Sequence, residues 1–324
     1  MRKTQPWSPD LKPVVTPEPD VERGLAPEAP REGQTYTGES VLVRYVNLVK
    51  LPHTVFALPF ALLGVVFASS AQAVTAVTVV LVAVAFTAAR FCAMGFNRIV
   101  DRDLDAKNPR TLGRELPTGR LSVAAAGTAA AAGAAVFVSS AAMLNRLCLL
   151  LSPLALLWIC GYSYSKRFTS WSHLWLGGAL AIAPVGGYLA VAGRWSEPWW
   201  TLLALAAAVA TWVAGFDVFY ALQDEAFDRE QGLRSAVVRL GQGPAILLAK
   251  LGHGLTITLL FLVGVGANLG PVYYLGVAAA AGLLVWEHQL VRPGDLSRLD
   301  AAFFMMNGVI SIVVFLGALG DRVL

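Results

Sequence analysis

Charge is scarce in this sequence. Asp, Glu, Lys and Arg make up only 14% of its 324 residues, apolar residues make up 56%, and mean hydropathy is +0.60. Soluble domains carry about 25% charged residues, so a water-facing fold is excluded, and with it the two soluble domains that length alone would suggest. Cysteine is scarcer still. Cys92, Cys148 and Cys160 fall inside apolar runs without metal-ligand spacing; an odd number so placed argues against a disulfide framework, and they read as small core residues. His53, His173, His253 and His288 are scattered, no pair has metal-ligand spacing, and each reads as structural or interfacial. No apolar stretch follows Arg2 and Lys3, so the opening is not a signal peptide. The net charge of +4 and pI near 9.0 would suggest nucleic acid in a soluble chain. Here the basic residues sit in short loops between apolar runs, where membrane orientation accounts for them and no nucleic-acid partner is needed.

What the sequence does have is hydrophobic length. Residues 1–40 are rich in Pro, Glu, Arg and Thr and lack apolar periodicity, which predicts a disordered cytoplasmic tail. Residues 41–324 form the predicted transmembrane domain. Its nine apolar runs lie at 44–69, 73–97, 121–141, 146–164, 173–193, 199–219, 245–267, 271–290 and 301–319, each near the roughly 20 residues a spanning helix needs. The fold class is therefore all-α integral membrane. The connecting loops alternate in charge. One set carries Arg98, Arg102, Lys107, Arg110, Arg114 and Arg120, then Lys166 and Arg167, then Arg229, Arg234 and Arg239, then Arg292 and Arg298; the other offers little beyond Arg146 and Arg194. The positive-inside rule puts the rich loops, and the N-terminus, in the cytoplasm. The C-terminus then lies outside, which requires an odd number of spans and agrees with nine.

The chemistry gathers at two span ends. Asn97, Asp101 and Asp105 follow at i, i+4 and i+8, so on a continuing helix they share a face. Asp217, Asp224 and Asp228, at offsets of seven and eleven, share a face as well if that helix continues. Acids at a helix C-terminus are disfavoured by about 0.3–1 kcal/mol each. An acid within an apolar run, such as Asp217, costs about 2.5–3.5 kcal/mol without a partner. Two carboxylate clusters in such places ask for a hard divalent cation, and Mg²⁺ is usually held by a few carboxylates together with a substrate's phosphates. A diphosphate would need further positive charge. Lys107, Arg110 and Arg114 follow the first cluster, and Lys166 and Arg167 lie beside Tyr162, where cations can stabilise charge developing on a leaving phosphate. Arg120, Arg234 and Arg239 read equally well as orientation residues.

These residues resemble the UbiA superfamily of intramembrane prenyltransferases. Its Asn-x-x-x-Asp-x-x-x-Asp signature is matched by Asn97, Asp101 and Asp105. The Asp-x-x-Tyr-Ala-x-x-Asp-x-x-x-Asp of its quinone branch is matched by Asp217, Tyr220, Ala221, Asp224 and Asp228. A Tyr-x-x-x-Lys-Arg-x-Thr segment is matched by Tyr162, Lys166, Arg167 and Thr169, with Gly232-Leu233-Arg234-Ser235 and Asn307 also in place. The resemblance spans roughly residues 41 to 320. It implies a nine-helix bundle in a bacterial-type inner membrane, with a central cavity facing the cytoplasm and open sideways to lipid. It also implies Mg²⁺-dependent ionisation of a polyprenyl diphosphate, and attack of an electron-rich aromatic acid on the allylic cation. In that scheme Asn97, Asp101, Asp105, Asp217, Asp224 and Asp228 hold Mg²⁺ and diphosphate, with Tyr220 beside them. Lys166, Arg167 and Arg110 contact phosphate, and Arg114 or Tyr162 orients the acceptor.

One position departs from the family pattern. Where members acting on 4-hydroxybenzoate often have Arg-Pro-Leu, this chain reads Arg114-Glu115-Leu116. That wording, with Ala221-Leu222-Gln223-Asp224, is similar to members of the futalosine-derived menaquinone route, whose acceptor is 1,4-dihydroxy-6-naphthoate. Both aromatic acids stay open as acceptors. Other readings are a haem-farnesylating relative and, from a different class, a membrane transporter, which would place ionisable residues near mid-span in two repeated halves. Gly177-Gly178, Pro184 and Gly186-Gly187 in the fifth span predict close helix packing in preference to a broken helix. Trp195, Trp199 and Trp200 read as an interfacial belt.

Overall fold

The computed structural model describes residues 36, 38, 40–291 and 306–324, and side chains there other than those of 51–56. The predicted tail therefore lies almost wholly outside the described residues, as do Arg292, Arg298, the His53 side chain and the start of the last apolar run. No strand occurs among the described residues. The chain forms α1 (Val41–Leu48), α2 (Leu51–Ala68), α3 (Ala76–Asp105), α4 (Val123–Leu144), α5 (Arg146–Phe168) and α6 (Ser172–Ala192). It continues with α7 (Trp199–Gln223), α8 (Glu225–Glu230), α9 (Ala236–Leu240), α10 (Gln242–Gly266), α11 (Pro271–Leu290) and a last helix, α12 (Asn307–Val323). Six of these, α3 to α7 and α10, are long and apolar enough to cross a membrane.

Small polar residues start the helices. Thr75, Ser122, Asn145 and Ser235 each accept a backbone N–H three residues on, satisfying donors that a helix start leaves unpaired. Two expectations are corrected. The first apolar run is two helices, because Lys50 adopts a left-handed conformation at φ +47° and breaks the chain between α1 and α2. The second acidic cluster does not ride one continuing helix either. α7 stops at Gln223, and Asp224 (φ −97°, ψ 3°) caps it before the short α8.

The centre of the bundle is α6 packed between α2 and α7, with α10, α11 and α12 closing the far side around Leu63, Leu205, Val213 and Tyr273. Its glycines explain the closeness. A Cβ on Gly177 would lie 2.2 Å from the Ala210 carbonyl oxygen, and one on Gly187 would lie 2.1 Å from that of Ala61, so only glycine lets these backbones meet. The helix runs unbroken past Pro184, in line with packing. Asn145 donates to the Leu189 carbonyl at 2.8 Å and ties α5 to α6 at one end of the bundle. The acidic clusters lie at the other. Trp195 and Trp199 are exposed, as a belt requires, whereas Trp200 packs against the core.

Candidate active site

The 30-residue α3 carries the first cluster on its last two turns. Asn97 donates to Asp101 Oδ2 at 2.9 Å, the i, i+4 contact its spacing predicts. Asp105 is the final residue of the helix, and its carboxylate would meet the negative helix end alone were it not for Arg114, whose Nη1 donates at 2.6 Å. The second cluster closes against the loop that follows α3. Arg110 grips Asp224 two-pronged, at 2.9 Å and 2.5 Å, and Asn108 adds a third donor at 3.1 Å. Arg167 Nη2 reaches Asp101 at 3.2 Å and the Val100 carbonyl at 2.7 Å. Lys166 Nζ stands 3.8 Å from Asp228, close enough to pair but too far for a hydrogen bond. Five elements thus bring both clusters and four of the predicted cations into one charged layer, in which each of Asp101, Asp105, Asp224 and Asp228 faces a cation.

Burial alone would raise the Asp224 carboxyl, but Arg110, with Lys166 and Asn108, overcomes it and holds Asp224 below the usual aspartate range. Asp228 shifts the other way: burial pushes it up, and the longer Lys166 contact offsets only part of that. Burial also pushes up the Glu115 carboxyl, with its own backbone, Arg98, Arg120 and Arg114 opposing. The residue that departs from the family pattern is thus turned inward, 2% exposed.

Asn97, Asp101, Asp105, Asp217, Tyr220, Asp224 and Asp228 all line one cavity of about 320 Å³, along with Arg110, Arg114, Tyr162, Lys166 and Arg167. Lys107 is not among its walls; it reaches Gln231 at 3.5 Å. A second cavity of about 680 Å³ has almost wholly apolar walls, contributed by every helix from α2 to α7. Arg90, Met94, Asn97, Tyr162, Leu176 and Leu180 line both, so the charged layer opens directly onto an apolar gallery.

The donor set fits a hard cation in kind, since it is all oxygen. Asp105 Oδ2 and Asp228 Oδ2 are buried and accept no hydrogen bond, so each cluster keeps a carboxylate oxygen in hand. As they stand, no three His, Cys, Asp or Glu side chains among the described residues are close enough to hold an ion by themselves. Ligands from a substrate would have to complete the shell.

Several site residues were not legible in the sequence. His173, taken as structural, bonds Asp217 at 2.7 Å. His253 and His288, far apart in the chain, meet at 3.0 Å. Arg98, grouped with the orientation residues, is 6% exposed, donates to the Leu48 carbonyl and lines the charged cavity. Arg90 carries no motif signal. Lys50, at the α1–α2 break, also lines that cavity. The three thiols are free.

With this geometry in hand, comparison with known proteins is direct. A family model described as the UbiA prenyltransferase family matches residues 57–309. A 4-hydroxybenzoate octaprenyltransferase of Pseudomonas aeruginosa is 30% identical over 228 residues, covering 70% of this chain and 75% of that protein. One from Nitrosococcus oceani is 31% identical over 221 residues, covering 68% and 76%. Among solved structures, an apo UbiA homolog from Aeropyrum pernix K1 superposes with a TM-score of 0.76 at 32% identity, covering 83% of this chain and 98% of that one. A UbiA homolog from Archaeoglobus fulgidus, solved with GPP and Mg²⁺, shares the fold at a TM-score of 0.64 and 19% identity, covering 87% and 100%. The transporter reading ends here. The chain belongs to the UbiA prenyltransferase family and is a prenyl-transferring enzyme.

Proposed function

We propose that this enzyme transfers a polyprenyl group from its diphosphate to an aromatic acid, with Mg²⁺, at the cytoplasmic face of the membrane. The observation that carries the reading is the junction of the two cavities: a layer of paired acids and cations opening onto an apolar gallery. A prenyl diphosphate has the same two parts in the same order. Helices occupy all nine apolar runs as far as these are described, and the basic-rich loops lie at the acidic end, which supports nine spans with that end inside.

In this reading Asn97, Asp101 and Asp105 on one side, and Asp217, Asp224 and Asp228 on the other, hold the Mg²⁺–diphosphate. The bound metal supplies charge neutralisation for the leaving diphosphate. Arg110, Arg167 and Lys166 turn from their carboxylates to phosphate oxygens, so each group changes partner instead of losing one. Charge then grows on the diphosphate as its C1–O bond breaks, within reach of cations already in position. The electron pair leaves with oxygen, the allylic carbon bonds to a ring carbon of the acceptor, and the displaced ring proton passes to the departing diphosphate. Tyr162 and Tyr220 wall the space where the cation forms. Asp105 holds Arg114 at 2.6 Å, so we assign Arg114 to ordering the first cluster. Arg90, on the shared wall, is better placed to receive the acceptor's carboxylate.

The curated relatives named above support 4-hydroxybenzoate, and the Arg114-Glu115-Leu116 wording, with Ala221-Leu222-Gln223-Asp224, supports a dihydroxynaphthoate. The test offers purified enzyme Mg²⁺, a polyprenyl diphosphate and either 4-hydroxybenzoate or 1,4-dihydroxy-6-naphthoate, and weighs the products. A prenylated ring in one tube establishes the class and names the acceptor. Intact diphosphate in both tubes would overturn the reading.

A further inference from the structure

His173 is the second residue of α6 and is 2% exposed. Both of its ring nitrogens are engaged. Nε2 lies 3.2 Å from the backbone nitrogen of Ala236, at the start of α9. Nδ1 lies 2.7 Å from Asp217 Oδ2. A backbone N–H can only donate, so Nε2 must be the accepting nitrogen; in a neutral imidazole the hydrogen then resides on Nδ1 and points at the carboxylate. The main chain of α9 therefore sets the tautomer, and the tautomer sets which way the ring binds Asp217.

Asp217 is the only acid of the two clusters whose partner is not Lys or Arg among the described ion pairs. It is also the deepest in its helix, six residues before the end of α7 at Gln223. A carboxylate on a helix can rotate about its terminal torsion. One short bond from a ring clamped at both nitrogens removes that freedom. The segment before α9 is itself anchored, since Arg234 N donates to the Lys166 carbonyl at 2.7 Å and Arg234 Nη1 to that of Phe168 at 2.8 Å. Through Ala236, His173 thus couples Asp217 to the end of α5 that carries Lys166 and Arg167.

We infer that His173 is a positioning residue: its Nδ1–H fixes the carboxylate of Asp217 for the Mg²⁺–diphosphate, and it does not touch substrate. The inference rests on the function proposed above. Partners of this kind, holding a metal ligand from behind, typically change metal affinity or activity by about 10–100-fold when removed.

Two substitutions separate the contacts. His173→Asn puts an amide N–H where Nδ1 donates and abandons Ala236. His173→Gln can reach Ala236 with its amide oxygen and abandons Asp217. Full-length protein would be measured in detergent for Mg²⁺-dependent binding of an unreactive prenyl thiodiphosphate, for turnover against Mg²⁺, and for thermal unfolding without either ligand. The expected result is a half-maximal Mg²⁺ concentration within about threefold of wild type for His173→Asn, and raised about 10–100-fold for His173→Gln in both binding and turnover. A wild-type Mg²⁺ requirement in His173→Gln, or equal losses in both variants that follow their unfolding temperatures, would overturn the inference and leave the proposed function standing. If wild-type protein itself binds no prenyl thiodiphosphate at any Mg²⁺ concentration, the proposed function falls and this inference with it.

Discussion

The grip of Arg110 on Asp224 is the contact whose worth can be worked out from the structure. The side chains are 20% and 10% exposed, and two charge-assisted bonds join them at 2.9 Å and 2.5 Å. Hydrogen bonds to charged groups contribute about 1.5–3 kcal/mol net. Arg110→Met removes both and leaves a buried carboxylate with the Asn108 hydrogen bond and the more distant charge of Lys166, so the loss should sit at the upper end, near 3 kcal/mol. Asp224→Asn keeps an oxygen for Arg110 and Asn108 to donate to and should cost less. The double variant should then lose less than the sum of the two by about 1–2 kcal/mol. The sign with pH follows from Asp224 lying below the usual aspartate range. Its stabilisation is complete at neutral pH and is lost only as pH falls through that depressed value. The assay is thermal unfolding at pH 7 in detergent, without Mg²⁺ or diphosphate. On the scale of about 2–4 °C per kcal/mol for sizeable domains, Arg110→Met should fall by roughly 6–12 °C. Additive losses, within about 0.3–0.5 kcal/mol, would refute the claim that the loop after α3 is latched by this pair.

Four further outcomes follow, three from the same geometry and one from the sequence. Asp101→Ala should insert and unfold near the wild-type temperature yet turn over at less than a tenth of its rate, measured with saturating Mg²⁺; higher activity would remove Asp101 from the site. Gly186 and Gly187 form a matched pair, since a Cβ at Gly186 meets nothing within 4 Å while one at Gly187 meets the Ala61 oxygen at 2.1 Å. Gly187→Ala should destabilise by about 1–3 kcal/mol or more. Gly186→Leu, on the wall of the apolar gallery, should keep its unfolding temperature and shift donor preference towards shorter chains; an unchanged chain-length profile would count against the gallery as the prenyl site. Deleting residues 1–35 should leave kcat and KM within about twofold, as expected of a segment with little apolar area to bury.

How much of this was legible in the sequence depended on whether a contact is local. The i, i+4 bond between Asn97 and Asp101 and the close packing at the α6 glycines follow from spacing and residue size, and the sequence announces them. The break at Lys50 and the cap at Asp224 were not foreseen, because hydropathy is blind to one residue leaving the helical region. His173 was missed for another reason. Its partners lie 44 and 63 residues away, and a single histidine after Trp171-Ser172 looks like any interfacial one. The pairing of His253 with His288 is hidden in the same way. Arg98 was obscured by its company, since a span end rich in arginine invites an orientation reading for it, while Arg90, in the middle of α3, belongs to no motif. A buried arginine can be distinguished from an orienting one only once the helix faces are known.

The charged layer also explains why acids and cations are interleaved. A site of acids alone could gather Mg²⁺ but would leave several carboxylates uncompensated at a membrane boundary when empty, and cations alone would do the same with the opposite sign. Here Asp105, Asp101, Asp224 and Asp228 are each paired with Arg114, Arg167, Arg110 and Lys166, and the helices can end there without a ligand. If the site binds Mg²⁺ and diphosphate as proposed, the pairing has a thermodynamic consequence. Freeing a carboxylate for Mg²⁺ strands its cation, and freeing a cation for phosphate strands its carboxylate, so either ligand alone must break pairs that only the other can repair. Each should therefore bind weakly by itself and strongly in the other's presence, by the same factor in both directions, as linkage requires. Asp228, whose carboxyl burial pushes up and whose Lys166 is farthest away, is the pair that yields first. Thermal unfolding followed with Mg²⁺, with a prenyl thiodiphosphate, and with both would report that factor. Equal and independent shifts would mean that the acids and cations serve separate sites, whatever their distance in the fold.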